Sequence, residues 1–137
     1  METVATAAAG LFAGAALYVT VVAHPARLDA PPTAAVAEFR ASFARAAPMQ
    51  AGLALVSFTA GVLASVRGSG WLWALGGTTV GAVVPFTLLV MQEATNRELL
   101  EGDVSDVNAL RLLGRWGQLH AVRTLLGVSG FVIFLLA

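Results

Sequence analysis

The sequence predicts an all-α integral membrane protein, a four-helix bundle, and three observations carry that prediction. Of its 137 residues, 58% are hydrophobic and only 12% are charged. The mean hydropathy is +0.79, well above that of soluble domains. Three runs, residues 3–26, 46–66 and 68–92, contain no charged side chain, and each is long enough to cross roughly 30 Å of hydrocarbon at about 1.5 Å per residue. A fourth apolar run, residues 124–137, is too short to cross alone, so the preceding RWGQLHAVRTLL must enter the bilayer with it. The expected spans are about 3–23, 48–66, 70–92 and 115–137, forming a single domain over residues 1–137.

The first span opens METVATAAAG, with an acid and no Lys or Arg where a signal peptide carries its basic region, and so reads as a retained helix. Gly10, Gly14, Leu17, Val21 and His24 fall on one line along it, whose small upper half should pack against the bundle and whose histidine lands at its polar end. In the connection APPTAAVAEFRASFARAAP the prolines open a helix, and Val36, Phe39 and Phe43 recur at helical spacing. Glu38, Arg40 and Arg45 lie largely off that stripe, which predicts a short interfacial helix on the membrane surface before the second span begins at Pro48. The third span contains Pro85, which should free a carbonyl and bend the helix, widening one end of the bundle. It continues past the membrane through QEATNRELLEG to a C-cap at Gly102. Asp103 or Ser105 then caps a last helix, from about Asp106 to the end, so that spans 3 and 4 extend together beyond the bilayer. Small-residue runs in spans 1 and 3 offer close-packing surfaces within the bundle or toward another copy, so a homo-oligomer is allowed.

All eight basic residues are arginines. Arg27, Arg40, Arg45, Arg97, Arg111 and Arg115 lie in the two long connections, against Arg67 alone in the turn between spans 2 and 3. That asymmetry predicts insertion in the cytoplasmic (inner) membrane with both termini outside and the long connections in the cytoplasm. The formal net charge is zero, which gives no electrostatic footprint for nucleic acid. With no cysteine there is no disulfide framework, no thiolate nucleophile and no cysteine metal site.

Counting rise back from Ala137 puts the inner hydrocarbon boundary near residue 117, and the same count on spans 1 and 3 puts it near His24 and Met91. His24, Gln92, Glu93, Asn96, Arg97, Trp116 and His120 therefore share one level, with Arg123 a turn deeper. Trp116, His120 and Arg123 share one helix face with Gly127 and Gly130, which marks it as inward. Gln92 and Asn96 form one stripe on span 3, Glu93 and Arg97 the next. Each has an ordinary alternative: an interfacial histidine that caps backbone, arginines that anchor topology, a tryptophan in an aromatic belt. Arg123 fits that alternative least, because about 9 Å below the boundary a guanidinium needs a partner. Glu93 is the nearest acid, and a Glu93–Arg123 ion pair is expected.

The histidine closing span 1 (VVAHPARL), the proline-containing third span ending VVPFTLLVMQEATNRELL, and RWGQLHAVRTLL together resemble a family of small four-helix membrane proteins, mostly of unknown function, that includes fungal anthrone oxygenases. The resemblance covers nearly the whole chain, and its most specific part is the Asn followed by Trp-x-x-x-His-x-x-Arg. It implies oxidation of the activated methylene of a small apolar aromatic substrate by dioxygen. In that chemistry His120 or His24 is the general base, and Arg123 and Asn96 stabilise the oxyanion. Trp116 stacks on the rings, and Gln92 and Glu93 complete the substrate site. No cofactor is required by the sequence.

Two other readings use the same residues. His24 and His120, with Glu93 nearby, could ligate a metal or hold a haem, although no Glu-x-x-His or His-x-x-x-His pair is present. A non-enzymatic bundle would use the polar level as a vestibule for lipid, quinone or a small solute.

Overall fold

A computed structural model describes all 137 residues. It contains four long helices and no strands: α1 (Glu2–Leu28), α2 (Pro32–Ser69), α3 (Trp71–Glu101) and α4 (Asp106–Leu136), each long and apolar enough to cross a membrane. This is the expected all-α bundle of four spans. The connections are short, residues 29–31, Gly70 and residues 102–105, so consecutive helices run antiparallel. At the α2–α3 turn Gly68 and Gly70 take φ of 99° and 108°, a left-handed backbone that glycine adopts without a Cβ penalty.

Lipid tails are as apolar as leucine, so the hydrophobic effect does not press these helices together and close packing must. At Gly61 a Cβ would lie 2.7 Å from the Trp73 carbonyl oxygen and 3.1 Å from Gly77 Cα, so α2 and α3 meet backbone to backbone. At Gly130 a Cβ would approach the Gly76 oxygen to 2.9 Å, and at Gly127 it would enter the Phe12 ring. Around these contacts Ala5, Ala9, Phe12, Trp73, Val80 and Phe134 pack one half of the core. Phe39, Met91, Leu99, Leu112, Leu113 and Trp116 pack the other half, toward the 29–31 and 102–105 loops. The buried polar side chains include His24, Arg27, Gln50, Asn96, His120, Arg123 and Thr124.

Two expectations are corrected. The separate interfacial helix does not exist as such, because Pro32–Ala64 is one α-helix with Pro48 inside it. Alanine-rich flanks carry the helix through a proline that removes a single hydrogen bond. Val36 and Phe39 of its amphipathic stripe pack on α3 and α4 instead of on the membrane surface. Second, the line through Gly14, Leu17 and Val21 faces outward, with all three exposed. The buried face of α1 is Ala5, Ala9, Phe12 and Ala16. A π-helical stretch, Val19–Ala23, intervenes before His24. Its wider turns rotate the remainder of α1 by about one residue position, so His24 comes inward below Ala16, which a constant helical period does not predict, and Arg27 is buried beside it. Gly102 is the C-cap of α3, as expected, in an extended conformation (φ −78°, ψ 154°). The open carbonyls there are met by Arg40, whose Nε donates to Leu99 O and Nη2 to Gly102 O, both at 2.7 Å.

Pro85 lies between the α-helical Trp71–Gly81 and a second π-helical stretch, Thr87–Asn96. The widened turns carry Gln92, Glu93 and Asn96, and Arg97–Glu101 is α-helical again.

Candidate functional site

The α4 face expected to point inward does so: Trp116, His120, Arg123, Gly127 and Gly130 are all buried. Trp116 stacks on His120 with ring centroids 4.7 Å apart and planes 13° from parallel. His24 of α1 meets the same indole at 5.2 Å, and Phe39 of α2 meets it edge-on at 5.1 Å.

Hydrogen bonds assign the two histidines different states. His120 Nε2 lies 3.3 Å from Ala16 O. A carbonyl only accepts, so Nε2 carries the proton, and the lone pair on Nδ1 is buried without a partner. In His24, Nδ1 lies 3.3 Å from Arg27 Nη1. A guanidinium only donates, so that lone pair is already used. His24 Nε2 faces Gly117, where a Cβ would overlap the ring, so the α4 backbone closes against it. Of the two, His120 is free to take a proton.

Arg123 is buried at 6% exposure. Its Nη2 donates to Gln50 Oε1 at 2.9 Å, its Nε has no partner, and no carboxylate lies within ion-pair reach of it. The expected Glu93–Arg123 pair is therefore corrected. Glu93 is exposed and pairs with Arg97 one turn along α3. The adjacent stripe, Gln92 and Asn96, is the one turned inward, with Asn96 wholly buried. For the same reason His24, His120 and Glu93 do not converge, and no group of three His, Asp or Glu side chains gathers anywhere as a metal site. The charge beside the site comes from Arg27, which sequence reasoning assigned to topology. Arg27 is buried, ion-paired with Glu38, bonded to Ser42 Oγ at 3.2 Å, and held 5.6 Å from the Trp116 ring and 5.4 Å from that of Phe39.

These groups surround a cavity of about 270 Å³. Tyr18, Val19, Ala23 and Arg27 of α1 form one wall, Glu38, Phe39, Phe43, Ala47 and Gln50 of α2 the other, and Trp116, His120 and Arg123 the floor. His24 stands behind Trp116 and Arg27 rather than in the lining; Asn96, Gln92 and Glu93 are also outside it. Sequence reasoning missed Gln50, Arg27, Glu38 and the ring pair Phe39–Phe43, centroids 5.5 Å apart. Gln50 had one available signal, an amide inside an otherwise apolar span. The cavity pairs aromatic walls with one neutral base and one cation lacking a counter-ion, which suits a flat apolar molecule that becomes an anion on losing a proton.

The family model described as anthrone oxygenase matches residues 39–133. The chain belongs to the anthrone oxygenase family. The matched segment contains Gln50, Asn96, Trp116, His120 and Arg123, while His24 and Arg27 precede it. A curated family relative, anthrone oxygenase tpcL of Aspergillus fumigatus, is 38% identical over 84 residues, 58% of this chain and 52% of that protein. The match thus spans about half the length of that relative. No solved structure matches.

Proposed function

We propose that the protein oxidises the activated methylene of a small flat aromatic ketone, an anthrone or a close relative, to a carbonyl with dioxygen. The observation that carries this reading is the buried Arg123 guanidinium, which has no carboxylate partner and stands one helical turn from a neutral His120 with a free lone pair. A buried cation without a counter-ion is costly unless an anion arrives. The anion here is the substrate's own: His120 Nδ1 removes a methylene proton, and the charge spreads to the ketone oxygen, where Arg123 receives it. Gln50 fixes the guanidinium in place, and Trp116 and Phe39 hold the rings. Such a carbanion is electron-rich enough to reduce dioxygen directly, so the scheme needs no resident cofactor. His24 is a positioning residue in this scheme, acting through Trp116 and Arg27.

The substrate is lipid-soluble and enters from the bilayer between α1 and α2, past Tyr18, which is 60% exposed. The arginine-rich connections face the cytoplasm in an inner membrane, which puts the cavity nearer that side.

The test is oxygen uptake by detergent-purified protein given emodin anthrone, with His120→Ala and His24→Ala run in parallel. The expected result is uptake that falls about 10²–10⁴-fold in His120→Ala and about tenfold or less in His24→Ala. Uptake equal in the wild type and His120→Ala would overturn the reading and leave a binding role for the cavity.

A further inference from the structure

A second cavity, about 210 Å³, lies on the other side of Arg123, between α2 and α3. Ala47, Ala51, Val83, Val84 and Leu88 make most of it apolar, and its polar groups are Thr87, Gln92, Asn96 and Arg123. Asn96 is 0% exposed, yet neither its amide nitrogen nor its oxygen has a hydrogen-bond partner. Buried amides are rarely left so, because each unpaired group forfeits the hydrogen bonds it made to water. An amide held bare in a cavity that Arg123, with its unpartnered Nε, also lines points to a polar ligand that forms during the reaction. The two cavities share Phe43, Ala47 and Arg123 in their walls. A ring system in the first would therefore meet whatever enters the second.

Resting on the oxygenase reading above, we infer that this second cavity is the dioxygen site, where Asn96 binds the reduced oxygen formed from it. Dioxygen is apolar and concentrates in hydrocarbon, and a chamber walled by Ala, Val and Leu at the lipid face admits it as engineered apolar cavities admit xenon. Leu88, at 63% exposure, places the mouth of the chamber at the bilayer. The chemistry accounts for the polar end. The carbanion gives two electrons to dioxygen, a C–O bond forms, and the charge moves to the distal oxygen as a peroxide anion. The proton held by His120 returns to that oxygen. Loss of the second methylene proton then breaks the O–O bond, leaving the carbonyl and one water, so that one methylene compound and one O₂ yield one ketone and one H₂O. The Asn96 amide can donate to the peroxide anion and accept from the water released, a pair of roles that neither dioxygen nor an alkyl chain would need.

The test separates dioxygen from the aromatic substrate kinetically. Val84→Phe on α3 and Ala51→Leu on α2 fill the chamber from opposite walls, and neither residue lines the first cavity. With oxygen varied at saturating anthrone, each should lower kcat/KM for dioxygen about fivefold or more, while kcat/KM for the anthrone at saturating oxygen changes less than about twofold. Two variants on separate helices guard against a folding defect in either, checked by melting in detergent. Unchanged oxygen kinetics in a folded variant would overturn the inference while leaving the oxygenase reading intact. Parallel losses toward both substrates would overturn it as well, by assigning the chamber to the aromatic molecule. A wild type that consumes no oxygen would refute both.

Discussion

Replacing Arg123 with methionine should leave the protein at least as stable and nearly inactive. The guanidinium is 6% exposed, has no counter-ion and makes one side-chain hydrogen bond, to Gln50 at 2.9 Å. Holding an ion in such surroundings costs several kcal/mol even after relaxation. The single charge-assisted bond returns about 1.5–3 kcal/mol of that. Methionine keeps most of the apolar stem, so removing the charge should leave the fold equally stable or roughly 1–3 kcal/mol more so. Gln50 Oε1 then faces the cavity, where water can reach it. Catalysis should move the other way: loss of one donor to a developing oxyanion lowers kcat by about 10²–10³, or roughly 2.7–4 kcal/mol in the transition state. The assay pairs thermal or denaturant unfolding in a fixed detergent with oxygen uptake on emodin anthrone. An Arg123→Met protein that unfolds more easily and still turns over would refute the reasoning, because the guanidinium would then be a structural group with a partner the geometry does not contain.

Gly117→Ala should push a methyl group into the His24 ring, costing about 1–3 kcal/mol by overpacking. In the double variant with His24→Ala most of that cost should vanish, a coupling readable in a double-mutant cycle. Gly61→Ala meets the Trp73 carbonyl and the Gly77 backbone, which cannot move aside as a side chain can. A loss of stability of about 2 kcal/mol or more is expected, with kcat/KM per folded molecule unchanged. Arg40→Ala removes both hydrogen bonds at the end of α3, and hydrogen exchange should rise at residues 97–105 for a global cost of about 1–2 kcal/mol. Unaltered exchange there would mean that water caps those carbonyls equally well.

The α4 face shows how far periodicity reaches. Trp116, His120, Arg123, Gly127 and Gly130 repeat at helical spacing along an unbroken α-helix, and all five are buried as that spacing requires. On α1 the same arithmetic placed His24 with Leu17 and Val21, and the π turn at Val19–Ala23 separated them. On α3 the count identified two polar stripes but could not choose between them. Nothing in the spacing says that Gln92 and Asn96 turn in while Glu93 and Arg97 pair outside. Charge alone favoured Glu93 as the partner of Arg123; the neutral amide of Gln50, from a different helix, took that place.

Sequence by itself determined the apolar surroundings, the number of spans and the inward face of the last helix. All of these come from hydropathy and from the rise and turn of one helix, which are properties of a single stretch of chain. The tertiary structure alone decided how the other three helices are rotated against one another. It thereby decided that Arg27 turns inward, that His24 surrenders its lone pair to it, that His120 keeps its own, and that two cavities meet at Arg123. Rotation is set by where glycines let backbones touch, a contact between helices that no residue carries alone, and by where π turns shift the register within a helix.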